Sequence, residues 1–540
     1  MSKIVECVPN FSEGRDKSVI DAISSAIGGT AGVTLLDVDP GQSTNRTVVT
    51  FVGDPEAVVE GALNGARAAH RLINMAQHSG QTSRMGALDV CPLHPVRGVT
   101  EQECIQCSKR FGERLAQELG VPVFLYGAAS SRDYRRTMPQ IRAGEYEGLR
   151  ERLAEARWTP DFGPAEFVPG WGATVTGVRK FLIAYNVNVL GTKEQAHRIA
   201  LNIREGGRGA DAPGRLQCCQ AIGWYLEEAD LAQVSINLTD YDVTPIHVAF
   251  EECRTDAEAL RLAVAGSEVV GLLPLAALLQ AADHYIQKES LFILEERQKV
   301  RLAIDRLGLS SIAPFDPDQR IIEYRLPAPA AGRLAALPVS QFVRQVAARS
   351  AAPGGGSVAA LCAALGAGLA SMVGRMTYGK RQWEHLDTEM RRLIPVFHNI
   401  VDGLVAAIDD DTSAFNDYMA ALKLARSTPE EATARAAAMQ AGLRSAVAVP
   451  LGLMRRIQQL WQPLAELAPL GNIATKSDLQ VAVRCLETAS WGALHNVAIN
   501  LDDVEDAQFR QQTLQEAEQL ASEATSNSRQ LLQVLEARRQ

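Results

Sequence analysis

The sequence predicts a multidomain protein: an α/β N-terminal part made of two similar subdomains, followed by an all-α helical bundle. Three observations carry that prediction. Up to about residue 326 short apolar runs alternate with helical periodicity, then a proline- and glycine-punctuated stretch intervenes, and beyond it strand-like alternation almost vanishes while alanine becomes abundant. A length of 540 residues also suits three or four compact units better than one core.

Taken in order, Ile4 to Val8 reads as a strand, and Val19, Ile20, Ile23 and Ile27 recur at helical spacing. Val33 to Val38 and Thr47 to Val52 read as further strands, with Asp39-Pro40-Gly41 as the expected turn between them. A second unit begins near residue 181 with the strand Phe181 to Leu190, then Thr192 and Gln195 at capping-box spacing before Ile199, Ala200 and Ile203. The two openings run in parallel, which hints at related halves. The expected divisions are 1–180, 181–326, a linker at 327–334 containing Pro327, Pro329 and Gly332, and a helical part at 335–540. Within the last, Thr428-Pro429-Glu430-Glu431 is a helix start, and about Asp506 to Arg538 is a long polar helix.

Composition narrows the function classes. Lys+Arg of 54 against Asp+Glu of 63 leaves a net charge of −9, with no basic footprint for nucleic acid. At 46% hydrophobic and 22% charged residues the chain can build sizeable cores. The N-terminus lacks a secretory apolar segment, and nine cysteines, an odd number, suit a reducing cytosol. The most apolar stretch, Val358 to Val373, is expected to be too short and small-sided to span a bilayer and is read as a tightly packed buried helix.

Several motifs bear on chemistry. Cys104-x-x-Cys107 has no second Cys/His pair at zinc spacing and reads as two small residues on a helix turn, as Cys218-Cys219 reads as structural. Gly354-Gly355-Gly356-Ser357 precedes a helix and either offers its amides to an anion or makes a tight turn; lacking the Lys-Ser/Thr, it is not a P-loop. In Asp409-Asp410-Asp411, a helical wheel places Asp411 within or beside the stripe of Ile394, Phe397, Val401, Leu404, Ile408 and Phe415, while its two neighbours point elsewhere. A carboxylate held there has its pKa pushed upward, as suits a general base; the alternative is an acid at an amphipathic edge. The loop from Asp161 to Thr174 carries Phe162, Phe167 and Trp171, aromatic groups that could stack on a flat heterocycle or tuck onto their own domain. Gly471 to Asp478 is a polar loop opening a helix, with Thr475 or Ser477 as its cap, and Met376 to Arg381 brings two cations.

Together, Val5 to Gly14, Ser43 to Thr47, Arg84 to Val90, Trp171 to Gly177, Ser350 to Ser357 and Ser477 to Ala482 resemble the formimidoyltransferase-cyclodeaminase family, in the right order and over essentially the whole chain. The resemblance implies transfer of a formimino group from N-formimidoyl-L-glutamate to tetrahydrofolate by the N-terminal half. It implies closure of 5-formimidoyltetrahydrofolate to 5,10-methenyltetrahydrofolate, with loss of ammonia, by the helical half. Tetrahydrofolate polyglutamate is then the co-substrate, with no metal, and a ring-shaped homo-octamer in the cytosol, with peripheral Golgi association, is expected. Folate contact falls on Gly163, Pro164, Ala165, Glu166, Phe167, Val168, Pro169, Gly170, Trp171 and Gly172, and the cyclodeaminase base on Asp411. Asn10, Asp39, Arg46, Arg84, Asp89, Gly354, Gly355, Gly356, Ser357, Lys476, Ser477 and Asp478 are the substrate-site candidates.

The resemblance departs at one place. The family shows His-x-Gly-x-His-Pro-Arg before Met-Gly-Ala-Leu-Asp, its second histidine being the transferase acid/base; here the stretch is His78-Ser79-Gly80-Gln81-Thr82-Ser83-Arg84. Threonine does not shuttle protons near neutral pH, and a missing acid/base costs roughly 10²–10⁴ in rate. The transferase step is therefore expected to be impaired, with His78 and His94 the nearest alternative imidazoles. A second reading makes the N-terminal half a folate-binding and assembly module attached to a monofunctional cyclodeaminase.

Overall fold

Two βαββαβ units follow from the strand and helix signals of residues 4–97 and 183–270. In the computed structural model, which describes residues 3–42, 44–79, 83–326 and 334–538, the first sheet contains β1 (Ile4–Cys7), β2 (Asn10–Phe11), β3 (Thr34–Gly41), β4 (Arg46–Gly53), β5 (Leu88–Arg97), β6 (Val123–Gly127) and β7 (Thr174–Val178). β1 and β2 act as one interrupted strand, each paired to both β4 and β5, and β3 takes the edge beside β4. β7 then adds parallel to β5, and β6 parallel to β7. The second sheet has β8 (Ile183–Leu190), β9 (Cys219–Leu226), β10 (Leu231–Leu238) and β11 (Ala263–Val270) in the order β11-β8-β10-β9, all antiparallel. Within each unit the fourth strand lies beside the first, then the third, then the second. The parallel openings thus extend to shared wiring.

One predicted turn is displaced. Asp39-Pro40-Gly41 does not turn; it prolongs β3, pairing with Arg46 to Val48, and the chain reverses between Gly41 and Arg46 through Asn45 at φ 49°. Proline is tolerated here because β3 is an edge strand and needs no N–H on its outer side. Asp16 and Asp54 cap the helices Lys17–Gly28 and Pro55–Leu72, whose apolar faces close over Val5, Cys7, Phe11 and Phe51. The capping box at Thr192 and Gln195 is formed as its spacing predicts.

The chain divides into two compact units, Met1–Pro327 and Ala328–Gln540. Most of the expected linker, residues 327–333, lies outside the described residues. The second unit is helical among its described residues, and the helix Gly355–Thr377 lies at its centre. It is longer than its apolar run suggested, 23 residues, long and apolar enough by itself to cross a membrane, yet its Ala/Gly face is buried against the helices Asp387–Leu422 and Lys476–Leu501. Small side chains permit this: a Cβ on Gly366 would sit 2.7 Å from Leu486. Both neighbours run antiparallel to it, since Gly356 meets Asp411 and Gly374 meets Ile394, while Gly355 meets Asn496 and Gly366 meets Leu486.

A strap, the 3₁₀ turn Leu334–Ala336 followed by the helix Val339–Val346, joins onto this bundle through a carboxylate. The amides of Leu334 and Ala335 donate to Asp409 at 2.7 and 3.3 Å, satisfying donors that open a helical turn. The acidic triplet therefore splits by role: Asp410 is exposed, Asp409 pins the strap and Asp411 faces another helix. Asp409→Ala should cost about 1 kcal/mol of stability, with faster amide exchange confined to residues 334–346. Asp410→Ala, measured alongside, should leave exchange there unchanged.

Candidate active site

In the N-terminal unit the site grows from one row of cross-strand neighbours. Val48 on β4 is opposite Asp39 on β3 and Asn10 on β2, and Asn10 is opposite Val90 on β5. Directly paired residues share a sheet face, so Asp39 and Asn10 project from the same side, roughly 10 Å apart by two interstrand spacings. Arg46, two residues before Val48, joins that face.

Behind the row stands Asp89, fully buried. It accepts from the Met85 amide at 2.7 Å, forms an ion pair with Arg142 and has Arg46 at 3.6 Å. A buried carboxylate held by two guanidinium groups and an amide is a fixed anchor. It orients Arg46, which also donates to the Ser83 carbonyl at 2.8 Å. Arg84 turns instead toward Glu147, at 2.7 Å, with Glu145 and the Tyr146 ring alongside.

Thr82 lies outside the described residues, but its flanks are anchored: Asn45 Nδ2 donates to the Ser79 carbonyl at 2.9 Å and Arg46 to that of Ser83. Both alternative imidazoles are held by partners, His94 through one of its two nitrogens. His78 Nε2 is 2.9 Å from the Asn45 carbonyl while its Nδ1 accepts from Arg84 Nε at 3.3 Å, and burial lowers its pKa. His94 is 1% exposed, with Nδ1 2.8 Å from Glu6 and burial again lowering its pKa.

The loop from Gly163 to Gly172 is stitched onto the same region. Gly172, at φ +81°, pairs with Gly86, and Ala87 N donates to Trp171 O at 2.8 Å, which brings the loop to within three residues of Asp89. Of the two readings of its aromatic groups, stacking on a heterocycle or tucking onto their own domain, Trp171 takes the second. That indole is 1% exposed, its Nε1 donates to Thr174 at 3.0 Å, and it packs beside His70. Phe162 packs over Gly112. Phe167, half-buried between Tyr146 and Arg150, and the exposed Ala165, Glu166, Pro169 and Gly170 make up the accessible part.

In the helical unit Asp411 meets the N-terminus of the helix Gly355–Thr377. Ser357 Oγ lies 3.2 Å from its Oδ2 and 2.8 Å from the Ile408 carbonyl, the two acceptors sharing one hydroxyl proton, and the Ser357 amide donates to the carboxylate as well. Glycine at 356 leaves room for this contact: a Cβ there would lie 2.0 Å from the Asp411 carboxylate and the side chain would have to shift. Gly354, in extended conformation, is the cap residue of this helix and makes no side-chain cap. The first-turn amides favour negative charge, yet burial outweighs them and the Asp411 pKa is raised; the Ser357 bonds pull the other way. The result is a half-buried carboxylate poised above its ordinary range.

Lys476, Ser477 and Asp478 are not part of this cluster. Asn496 lies near Gly355, and Lys476 is twenty residues earlier on the same helix, which at 1.5 Å per residue is about 30 Å away. Lys476 Nζ instead donates to the Arg538 carbonyl at 2.9 Å. Neither Thr475 nor Ser477 supplies a side-chain cap; Asn472 caps the preceding 3₁₀ turn. Met376 to Arg381 is at that same far end, with Lys380 over the Trp383 ring. Cys104 and Cys107 are buried, the Cys104 thiol pushed up to about 12 by burial, and among the described residues no group of three or more His, Cys, Asp or Glu could hold a metal ion. Arg142 and Asn496 were not singled out from the sequence, since polar residues in ordinary local contexts carry no periodic or motif signal, and Asn45 lay within the Ser43 to Thr47 motif without being assigned a role.

Comparison with known proteins bears on both regions. The family profile described as "Formiminotransferase domain, N-terminal subdomain" matches residues 4–179, "Formiminotransferase domain" matches 184–327 and "Formiminotransferase-cyclodeaminase" matches 338–519. The chain is 59% identical over 541 residues to formimidoyltransferase-cyclodeaminase of Mus musculus, covering 100% of both. It is 41% identical over 290 residues to glutamate formimidoyltransferase of Streptococcus pyogenes, 54% of this chain and 95% of that protein. It is 33% identical over 186 residues to methenyltetrahydrofolate cyclohydrolase of Methylorubrum extorquens, 34% of this chain and 89% of that protein. With identity sustained from end to end of a full-length relative, the chain belongs to the formimidoyltransferase-cyclodeaminase family.

Proposed function

We propose that this chain is a bifunctional folate enzyme, moving a formimino group from N-formimidoyl-L-glutamate to tetrahydrofolate and closing the product to 5,10-methenyltetrahydrofolate with release of ammonia. The observation that carries the second step is the Asp411 carboxylate, half-buried and gripped by Ser357. As N10 attacks the amidine carbon it must lose a proton, and a carboxylate with raised pKa accepts it more readily than a solvated one. The tetrahedral centre then carries N5, N10 and an amino group. Return of the same proton to that amino group lets ammonia leave, so Asp411 ends as it began.

For the first step, the Asn10–Asp39 row and the anchored Arg46 form a polar face suited to an acidic amino-acid derivative, and the Gly163–Gly172 loop borders it. The half-length match to a glutamate formimidoyltransferase favours a catalytic transferase half over a binding and assembly module. The threonine at position 82 bears on the rate of proton transfer rather than on which substrates bind. Polyglutamylated folate, a homo-octamer and cytosolic residence with peripheral Golgi association are further parts of this proposal, resting on the family resemblance.

Three outcomes test the reading. Asp411→Asn should abolish methenyl formation, and its Tm should be no lower than that of the parent. A carboxyl whose folded pKa is raised contributes stability that is full below its unfolded pKa and lost as pH rises through its folded pKa, so at neutral pH its removal relieves a desolvation cost; closure retained by this variant removes Asp411 from the mechanism. The acid limb of cyclodeaminase kcat/KM should lie above the ordinary aspartate range. Ser357→Ala, deleting a bond that favours the charged form, should move that limb further up. Thr82→His should raise formimino transfer by roughly 10²–10⁴ without altering ring closure; undiminished transfer by the parent chain would show that position 82 needs no imidazole.

A further inference from the structure

One helical turn from Asp411, at Ile408, begins a cavity of about 410 Å³ whose lining is almost wholly apolar. Its floor is Val358 and Leu361 of the helix Gly355–Thr377 with Val405 and Ile408 of the helix Asp387–Leu422, and its roof is the strap, through Leu334, Phe342 and Val343 among others. The carboxylate and the cavity are neighbours by construction. Ile408 precedes Asp411 by one helical turn, Val358 follows Ser357 directly, and Ser357 Oγ bonds both the Ile408 carbonyl and Asp411; one turn is about 5.4 Å of helix. The strap helix buries only Phe342 and leaves Val339 and Val343 80% and 58% exposed, although both line the cavity.

Resting on the cyclodeaminase reading of Asp411, we infer that this cavity seats the benzoyl ring bonded to N10 of the folate. The argument is one of connectivity. N10 carries the phenyl ring directly, so a base within hydrogen-bond reach of the N10 proton, roughly 2.6–3.2 Å, fixes the ring to within a few ångströms of itself. A ring so placed needs an apolar wall on one side of the carboxylate. The cavity supplies it, within the size range of small-molecule sites, and its near absence of polar lining suits a phenyl ring and not the donor- and acceptor-rich pterin. Val343 and Leu361 are then specificity-determining, and Asp409 acts on the site at one remove by pinning the roof.

The test uses the full chain and two substrates: 5-formimidoyltetrahydrofolate, and a truncated 5-formimidoyl-tetrahydropterin in which N10 carries methyl in place of benzoylglutamate. Val343→Trp, at an exposed position where folding is not at stake, should lower kcat/KM for the full substrate by roughly 10–200-fold, mainly through KM. For the truncated substrate the change should stay within about twofold, so that the preference for the aryl substrate collapses. Leu361→Trp, with its Tm measured, should repeat the pattern from the floor. Equal losses on both substrates would place the pterin in the cavity and overturn the inference, as would no loss on either. Asp411→Asn, run in parallel, separates the two levels. Loss of closure on both substrates supports the underlying reading, whereas retained closure on both would remove the base and the inference with it.

Discussion

The helical unit is organised around a close approach between a helix N-terminus and a carboxylate on the neighbouring helix. Gly356 has no Cβ, so the first turn of Gly355–Thr377 can reach Asp411, and Ser357 can bind it and the Ile408 carbonyl together. A side chain at 356 would displace the carboxylate from this contact and so from the Ser357 bonds that hold the proton acceptor proposed for ring closure. The long run of Ala and Gly that follows serves the same end, because it lets the central helix pack closely on both neighbours over its full length.

The N-terminal unit solves a related problem by the opposite route. Its buried carboxylate, Asp89, is paired with Arg142, Arg46 and a backbone amide, and so acts as a fixed anchor. Such an anchor gives the polar face its rigidity, holding Arg46 and the carbonyl of Ser83 in place. The neighbouring imidazoles are likewise spent on structure: His78 bridges Asn45 and Arg84, and His94 pairs with Glu6 inside the core. Both imidazoles are thus held in structural contacts, which makes position 82 the place where the transferase rate is tested.

Much of the architecture was legible in advance. Strand and helix signals, the capping boxes at Thr192 and Thr428 and the change of character after residue 326 are local properties, and they reappear as elements in the right order. The singling out of Asp411 from its triplet also rested on a local rule, the helical wheel. Errors arose where an element's neighbours decide. Asp39-Pro40-Gly41 has turn chemistry, but an edge position lets it extend a strand. Trp171 on a glycine-rich loop looked available for stacking, but the loop folds inward and buries it. Where Lys476 to Asp478 lie was likewise not a local matter: the helix they open runs antiparallel to the central one, so they are at the far end from Asp411.

What the sequence determined by itself was the fold class and the family, and a helical wheel set Asp411 apart from its two neighbours, because periodicity, capping and motif order are written in neighbouring residues. Tertiary structure alone decided that Asp409 pins a strap while Asp411 meets a helix end, that Asp89 is clamped by Arg142, and that an apolar cavity adjoins the carboxylate. Each of those depends on residues dozens of positions apart meeting in space, and no local pattern encodes such a meeting.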